Sequence, residues 1–379
     1  MGKPPQNLDF SEAVRYHYGQ FPPTQLAYER LISPIADSVA ALARYDQMLK
    51  GMHNSEILLA PLRSQEAVVS SRMEGTVSTL DEVLRYEADR EEGDGADARN
   101  YRTEAIEVFL YGRAMKLAQA SVQEGHPISS LLLRNAHKVL LGFGRGASQS
   151  PGELKTEQNY LADRTKRKVF FIPINPEQLG PGMDRLFDFI HDEKVQILIR
   201  TALAHLEFEA LHPFKDGNGR VGRMLITLML WHYKVVSEPH FYVSNFFENN
   251  RDEYIDRMRE VSKSGEWTDW VLFFLKALET QANENLAKAE QIRSLYERLK
   301  LEFRDALASQ WSTTALDFLF SRPVFRNNIF TAKSGIPAPT AHKFSRSLVE
   351  KGFLNTLEES AGRRAALYSF EPLLELVRA

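Results

Sequence analysis

Apolar residues recur at helical spacing along most of the chain. The segments with this spacing are 24–49, 55–70, 78–90, 98–122 and 128–141. This spacing predicts helices that bury one face, whereas residues 1 to about 23 look irregular. Over 146–176 turn residues surround the run KVFFIP, which predicts a short β-hairpin. Helices resume and continue to about Leu307, so the sequence predicts a mainly helical protein.

Residues 311–379 have the pattern of a separate module. Two helices, a turn and a third helix precede two strands around ESAGRR, which is the layout of a winged helix-turn-helix. In the third helix the pattern places Ala341, Phe344 and Leu348 inward. It places outward Thr340, His342, Lys343, Ser345 and Arg346, and the wing adds Arg363 and Arg364. Because acidic residues accompany these basic ones, contact with protein or dimerisation is favoured and DNA binding is the alternative.

Composition narrows the class of protein without naming a function. The chain has 379 residues, a net charge of -3 and no cysteine. Its length suits two or three domains, and its charge does not indicate a protein that binds polyanions over its whole surface. Without cysteine there are no disulfides, thiolate metal sites or cysteine nucleophiles. The sequence has neither a signal-peptide core nor 18 consecutive apolar residues, so we expect a cytoplasmic protein with no membrane partner.

One polar segment, HPFKDGNGRVGR at residues 212–223, separates two apolar helices. Pro213 disfavours helical backbone at His212, so we expect His212 at the open end of a helix. Gly217 and Gly219 leave backbone amides accessible. The start of a helix offers unpaired N–H groups and positive potential, and the pattern therefore predicts a site for an anion such as phosphate.

The charged side chains of this segment suggest chemistry at that anion. Arg220 and Arg223 fall in the first turn of the next helix. Asp216 is a hard oxygen ligand suited to Mg²⁺ on phosphates, and His212 can act as a general base. DGNG alone is a common turn. His205 lies seven residues before His212, on the same helical face, so a pair of metal ligands is conceivable, but the sequence has no HExxH motif. It also has no P-loop and no GxSxG motif, so no other catalytic class is supported.

The segment resembles the Fic family signature, HPFx(D/E)GNGRxxR, at every specified position. The resemblance implies a helical protein that transfers AMP from ATP to a protein hydroxyl. His212 would then deprotonate the target Ser, Thr or Tyr, and Asp216 would hold Mg²⁺. The nucleotide-binding residues that it implies in the segment are Gly217, Asn218, Gly219, Arg220, Val221, Gly222 and Arg223.

Three further segments resemble accessory features of this family. SSRMEG, with Ser70 and Glu74, resembles the inhibitory motif (S/T)xxxE(G/N), which implies that Glu74 pairs with Arg223 and takes it from the γ-phosphate. Residues 152–173 resemble the flap, a hairpin that docks a protein substrate by β-pairing, although Lys155 stands where we expect Arg. NFFENNRDEYIDRM resembles a segment lining the base pocket, which implies nucleotide contacts from Asn250 and Tyr254.

The resemblance also implies a division of the chain and a homodimer. Residues 1–95 would be a helical extension with the inhibitory motif, 96–265 the catalytic core, 266–310 a long linking helix, and 311–379 the winged helix. Two other functions stay open at this point. Glu74 could activate water for AMP removal, or the chain could be a DNA-binding regulator whose Fic domain senses nucleotide. The target protein is not readable from the sequence.

Overall fold

The computed structural model describes residues 8–92, 101–162, 167–362 and 364–378. The helices are α1 Tyr28–Lys50, α2 Ser55–Leu58, α3 Ala60–Met73, α4 Leu80–Glu92, α5 Thr103–Gln123, α6 Ser130–Leu140, α7 Pro176–Ile190, α8 Ile197–Leu211, α9 Asn218–His232, α10 Ser244–Asn249, α11 Arg251–Ser264, α12 Trp267–Leu307, α13 Ser312–Ser321, α14 Asn327–Lys333, α15 Ala338–Glu350 and α16 Glu371–Arg378. The strands are β1 Val14–Arg15, β2 Leu161–Ala162, β3 Val169–Ile172, β4 Val324–Arg326, β5 Asn355–Glu358 and β6 Leu367–Ser369. The mainly helical class is therefore confirmed.

The chain divides into two compact units. The first unit comprises Met1–Arg44 and Arg113–Asn283, and the second comprises Tyr45–Gly112 and Glu284–Ala379. The boundaries fall inside α1, α5 and α12, and this division differs from the four consecutive segments expected from the sequence. Among the described helices, none combines the length and apolar character that crossing a bilayer would require.

Two buried helices form the centre of the first unit. α8 packs against both α7 and α9, and nearly all side chains of α8 and α9 are buried. Such a helix is apolar around most of its circumference, because it has neighbours on several sides. The polar segment 212–223 connects these two helices, so its residues begin and end in rigid, closely packed structure.

A three-stranded sheet lies beside these helices in the order β1–β3–β2. β2 and β3 are antiparallel, which confirms the predicted hairpin, and part of its predicted turn lies outside the described residues. β1 pairs with β3 in parallel, although the sequence predicts no strand before residue 24. Two side chains anchor this N-terminal segment on buried Glu207: Tyr16 Oη donates to Oε1 at 2.6 Å, and His17 Nε2 lies 2.8 Å from Oε2.

The C-terminal part of the second unit has the order α13, β4, α14, α15, β5, β6, α16. Its antiparallel sheet has the order β4–β6–β5. On α15, Ala341, Phe344 and Leu348 are buried. Ser345 is also buried, which corrects the outward position predicted for it, because its hydroxyl donates to the His342 carbonyl within the helix. The predicted wing residue Arg363 lies outside the described residues.

An ion-pair network joins this C-terminal part to α4 inside the second unit. Arg326 is fully buried, and its Nε lies 2.5 Å from Asp89 Oδ1. Asp89 also accepts from Arg364 Nη2 at 2.7 Å, and Arg326 pairs with Glu358. Buried charges are tolerated where partners of opposite sign surround them. The network therefore fixes strand β5 and the turn that follows it against α4.

Candidate active site

The backbone turns sharply where α8 ends. His212 caps the helix with φ 46° and ψ 62°, a left-handed conformation, and its N–H donates to the Phe208 carbonyl at 3.0 Å. Residues other than glycine and asparagine adopt this backbone conformation at an energetic cost. Pro213 disfavours the right-handed helical conformation at His212. His212 thus leaves the helix at a defined angle, as the sequence predicts.

The loop closes again at the start of α9. Gly217 occupies the N-cap with φ 80°, a conformation that suits glycine. Asn218 braces the loop, because its Oδ1 accepts from the Phe214 N–H and its Nδ2 donates to the Phe214 carbonyl, both at 2.8 Å. The side chain of Asn218 therefore serves the loop itself, and a nucleotide contact for this residue remains a prediction.

A buried guanidinium lies in the first turn of α9. Arg220 is 3% exposed, and its Nε and Nη1 have no hydrogen-bond partner among the residues that the structure describes. Its nearest carboxylate, Asp216 Oδ1, is 3.8 Å from Nη2. A buried charge without hydrogen bonds is unfavourable, whereas a bound phosphate would supply the missing acceptors. Arg223, one turn further along α9, is also buried.

Asp216 is the candidate metal ligand of this loop. Its side chain is 46% exposed, and its Oδ1 accepts from the Gly217 N–H at 2.7 Å. Within the described parts of the chain no cluster of three His, Asp or Glu side chains could hold a metal. Mg²⁺ on a nucleotide needs only one or two carboxylates, since phosphates and water complete its coordination. Asp216 therefore fits a metal that arrives with its nucleotide.

A histidine outside the segment supports the loop from α6. The His137 ring stacks on Phe214 with centroids 3.8 Å apart. Its Nδ1 accepts from the Gly152 N–H and its Nε2 donates to the Asp216 carbonyl, both at 2.9 Å. Burial lowers the pKa of His137 to about 4, so the ring is neutral at pH 7. No pattern in the sequence indicated that His137 belongs to the site.

The start of the predicted flap also holds the loop. Lys155 Nζ donates to the Leu211 carbonyl at 2.9 Å, and Asn159 Nδ2 donates to the carbonyls of His212 and Phe214 at 3.2 and 3.1 Å. Neither residue was predicted to belong to the site. The one available signal was that Lys155 occupies a position where the flap resemblance leads us to expect Arg.

Two family models cover these elements. The Fic/DOC family N-terminal model matches residues 32–120, and the Fic/DOC family model matches residues 127–230. The chain belongs to the Fic/DOC family. The second match contains the whole signature segment together with His137 and the flap.

Named relatives and solved structures agree with this assignment. Protein adenylyltransferase fic-1 of Caenorhabditis elegans is 32% identical over 129 residues, 33% of this chain and 24% of that protein. A probable protein adenylyltransferase of Aquifex aeolicus is 31% identical over 90 residues, 23% of this chain and 26% of that protein. The matches thus span about a quarter of the length of these curated relatives.

The solved structures share the fold with this Fic chain. A Fic family protein from Desulfovibrio desulfuricans G20 superposes with a TM-score of 0.58 at 18% identity, over 92% of this chain and 98% of that one. Residues 134–508 of Fic-1 from C. elegans superpose with a TM-score of 0.52 at 20% identity, over 69% and 75% of the two chains.

Tyr254, a predicted nucleotide contact of this Fic protein, lies in the interior of the first unit. Tyr254 is 4% exposed and lies in an aromatic cluster with Phe247 and Trp270. Since His205 Nδ1 lies 3.0 Å from the Gly222 carbonyl, Nδ1 carries the proton and Nε2 accepts from the Tyr254 hydroxyl at 2.8 Å. Burial and nearby Arg223 lower the pKa of His205 to about 3. Tyr254 is therefore part of the buried core, and a nucleotide contact for this residue stays a prediction.

Asn250 lies apart from Tyr254, at the junction of α10 and α11. Its Nδ2 donates to the Phe246 carbonyl at 2.8 Å. It lines an open groove of about 470 Å³ together with charged residues of α11 and α12, among them Glu253, Arg257 and Lys276. A nucleotide contact for Asn250 stays a prediction.

The predicted inhibitory motif, residues 70–75, lies in the second unit. Ser70 is fully buried near the end of α3, and Glu74 is the exposed C-cap residue of that helix. Gly75 follows with φ 83°, which ends the helix in a left-handed turn. Thr76 Oγ1 then donates to buried Glu107 at 3.2 Å. Glu74 and Arg223 belong to different units, and their pairing stays a prediction.

Proposed function

We propose that this chain is a protein adenylyltransferase that transfers AMP from ATP to Ser, Thr or Tyr hydroxyls of proteins, its own included. The observation that carries the proposal is buried Arg220, whose Nε and Nη1 lack partners among the described residues at the start of α9. Such a site favours the phosphates of a nucleotide. The names of the relatives in the same family support AMP as the transferred group.

The proposed reaction assigns each residue of the segment one task. His212 takes the proton of the target hydroxyl, and the oxygen of that hydroxyl attacks the α-phosphorus of ATP. The bond between the α-phosphorus and the oxygen that bridges to the β-phosphate breaks, which releases diphosphate. Arg220 and Arg223 hold the outer phosphates. Asp216 would hold the Mg²⁺ that accompanies ATP and neutralises phosphate charge. The backbone amides at the start of α9 stabilise the charge that develops on the transferred phosphate.

We further propose that Glu74 inhibits this transfer by pairing with Arg223 and taking it from the γ-phosphate. Its place at the exposed end of a helix, before a left-handed glycine, supports this role. A carboxylate–guanidinium pair is strong enough to compete with a phosphate for the arginine.

The test compares the parent protein with Glu74→Gly, each incubated with Mg²⁺ and ATP labelled at the α- or the γ-phosphate. We expect strong α-label on Glu74→Gly, weak α-label on the parent and γ-label on neither. His212→Ala in the Glu74→Gly background should lower transfer by about 10²- to 10⁴-fold while ATP still binds. Exposed His126→Ala in the same background is the matched control, with transfer unchanged.

Three results would contradict the proposal. Label from the γ-phosphate on the protein would mean that the chain transfers phosphate and not AMP. Absence of any label while calorimetry shows ATP binding would reject transfer onto the chain and leave AMP removal to be assayed on a modified protein. Equal labelling of the parent and Glu74→Gly would reject the inhibitory role alone.

We also propose that residues 311–379 are a winged helix that contacts protein, including a second copy of this chain. The network around Asp89 supports protein contact over DNA, because it already neutralises the wing residue Arg364. Sedimentation at several concentrations tests the homodimer. Titration with labelled duplex DNA at two salt concentrations tests the alternative, since phosphate contacts make affinity fall steeply with salt.

A further inference from the structure

Four consecutive carbonyls at the end of α8 are held by two residues of the flap. Lys155 donates to Leu211 through Nζ at 2.9 Å and to Pro213 through its backbone N–H at 2.8 Å. Asn159 Nδ2 donates to the carbonyls of His212 and Phe214 at 3.2 and 3.1 Å. The backbone on both sides of His212 is therefore fixed from outside the signature segment.

These bonds act where the backbone is least stable by itself. His212 has a positive φ of 46°, and a conformation of this kind persists only when the surrounding structure imposes it. The bond from its own N–H to Phe208 fixes one side of the residue. The carbonyl on its other side is held by Asn159. The direction of the His212 side chain follows from the backbone that these contacts maintain.

Lys155 and Asn159 form one hydrogen-bonded assembly. Lys155 is 3% exposed, and its Nζ also donates to Asn159 Oδ1 at 2.8 Å, which orients the amide toward the loop. A cation at the last carbonyls of α8 is also favoured by the helix dipole. Burial lowers the pKa of Lys155 to about 7, yet a neutral amine still donates to both acceptors. The assembly therefore does not depend on the charge of Lys155.

The same assembly is joined to both arms of the flap. Gln158 Nε2 donates to the Asn159 carbonyl and to the Pro173 carbonyl, both at 3.0 Å. Pro173 directly follows β3, and β2 begins two residues after Asn159. A shift of the flap would thus reach the His212 carbonyl through Gln158 and Asn159.

We propose that Lys155 and Asn159 are positioning residues, which hold His212 in its left-handed conformation and couple it to the position of the flap. This inference rests on the proposed AMP transfer, because it concerns how His212 is placed for that reaction. Neither side chain is assigned a contact with ATP.

The test uses the full chain with Glu74→Gly as the parent and compares Lys155→Met, Asn159→Leu and Lys155→Arg. Exposed Lys263→Met and exposed Asn135→Leu are the matched controls. For each variant kcat and KM for ATP are measured in the α-label assay, and the Kd of ATP is measured by calorimetry. Hydrogen exchange of the amides of residues 211–216 is followed separately.

We expect Lys155→Met and Asn159→Leu to lower kcat by about 10- to 100-fold, since a small misplacement of a reacting group has effects of this size. The Kd of ATP should not change, and exchange of the loop amides should become faster. Lys155→Arg should restore most of kcat, because Arg also donates to Leu211 and Asn159. The control variants should match the parent in all three measurements.

The inference fails if kcat of the folded variants is unchanged, or if kcat and ATP affinity fall together. It also fails if Lys155→Arg is as slow as Lys155→Met. Should Lys155→Met not fold, Asn159→Leu and Lys155→Arg decide the question. If the parent transfers no AMP, the proposed function fails, whereas unaltered amide exchange in the variants would overturn the positioning role independently.

Discussion

Replacing His137 by phenylalanine tests how the signature loop is held. Phenylalanine keeps a ring against Phe214 but removes both nitrogen atoms of the imidazole. The Asp216 carbonyl then loses its donor, and the Gly152 N–H loses its acceptor. Each group left without a partner in the interior costs about 1–3 kcal/mol. At pH 7.5 we therefore expect the free energy of unfolding to fall by about 2–6 kcal/mol.

The size of this loss should depend on pH. The pKa of His137 is about 4 in the folded protein and rises to its ordinary value of 6.5 on unfolding. A group with a lowered folded pKa that gains a charge on protonation destabilises the fold as the pH falls below 6.5. By linkage the parent loses roughly 2.5 kcal/mol between pH 7.5 and pH 4.5 through His137 alone. His137→Phe has no such group, so the difference between the two proteins should be smaller at pH 4.5 by roughly 2.5 kcal/mol.

Urea unfolding at the two pH values provides the measurement. Three of the four tryptophans, Trp231, Trp267 and Trp270, lie in the first unit, so tryptophan fluorescence mainly follows the unit that contains His137. Exposed His126→Phe is the matched control, for which we expect a change below about 0.5 kcal/mol at both pH values.

A constant difference between the parent and His137→Phe at both pH values would refute the reasoning. In that case His137 would not titrate at the lowered pKa in the folded protein. A difference near zero at pH 7.5 would be equally contrary, because it would mean that water replaces both lost hydrogen bonds at no cost.

Three further variants test other parts of the structure. Arg326→Met should lower the free energy of unfolding by about 3–5 kcal/mol in urea titrations, because buried Asp89 loses a partner. Tyr254→Phe should cost about 1–2 kcal/mol of stability in urea titrations, because His205 loses its hydrogen-bond donor, and the Kd of ATP in calorimetry tests the predicted nucleotide contact. Arg220→Met should weaken ATP binding by about 10- to 100-fold without lowering the unfolding midpoint, since its Nε and Nη1 have no partners among the described residues; a lowered midpoint would indicate a structural role.

The helices were predictable because their signal is local. Burial of one face imposes a spacing of 3.6 residues, and α1 and α4 follow the apolar spacing of their segments within a few residues. β1 escaped prediction because two residues are too few to show alternation, and its stability comes from β3 and from contacts with Glu207. Ser345 was placed outward as a polar residue, although a hydroxyl satisfied within its own helix can be buried.

In the candidate site, too, some features follow from neighbouring residues in the sequence, whereas others depend on residues far apart in the chain. The end of α8 at His212 could be expected from Pro213 directly after it, whereas the left-handed conformation of His212 could not. The supporting residues could not, because the chain separates them from their partners: His137 is 79 residues from Asp216, and Lys155 is 56 residues from Leu211. No spacing rule links a side chain to a carbonyl at such a distance, and a carbonyl is present at every position.

Substitutions in the signature segment and substitutions in its supporting residues should affect the reaction differently. The signature segment supplies the groups that would touch the nucleotide, and it braces itself through the bonds of Asn218 to the backbone of Phe214. The carbonyls around His212 depend on Lys155 and Asn159, and the Asp216 carbonyl depends on His137. Changes to the phosphate-binding arginines of the segment should therefore alter ATP binding and rate together. Changes in the supporting residues should alter the rate through the placement of His212, since they leave the groups facing the phosphates in place.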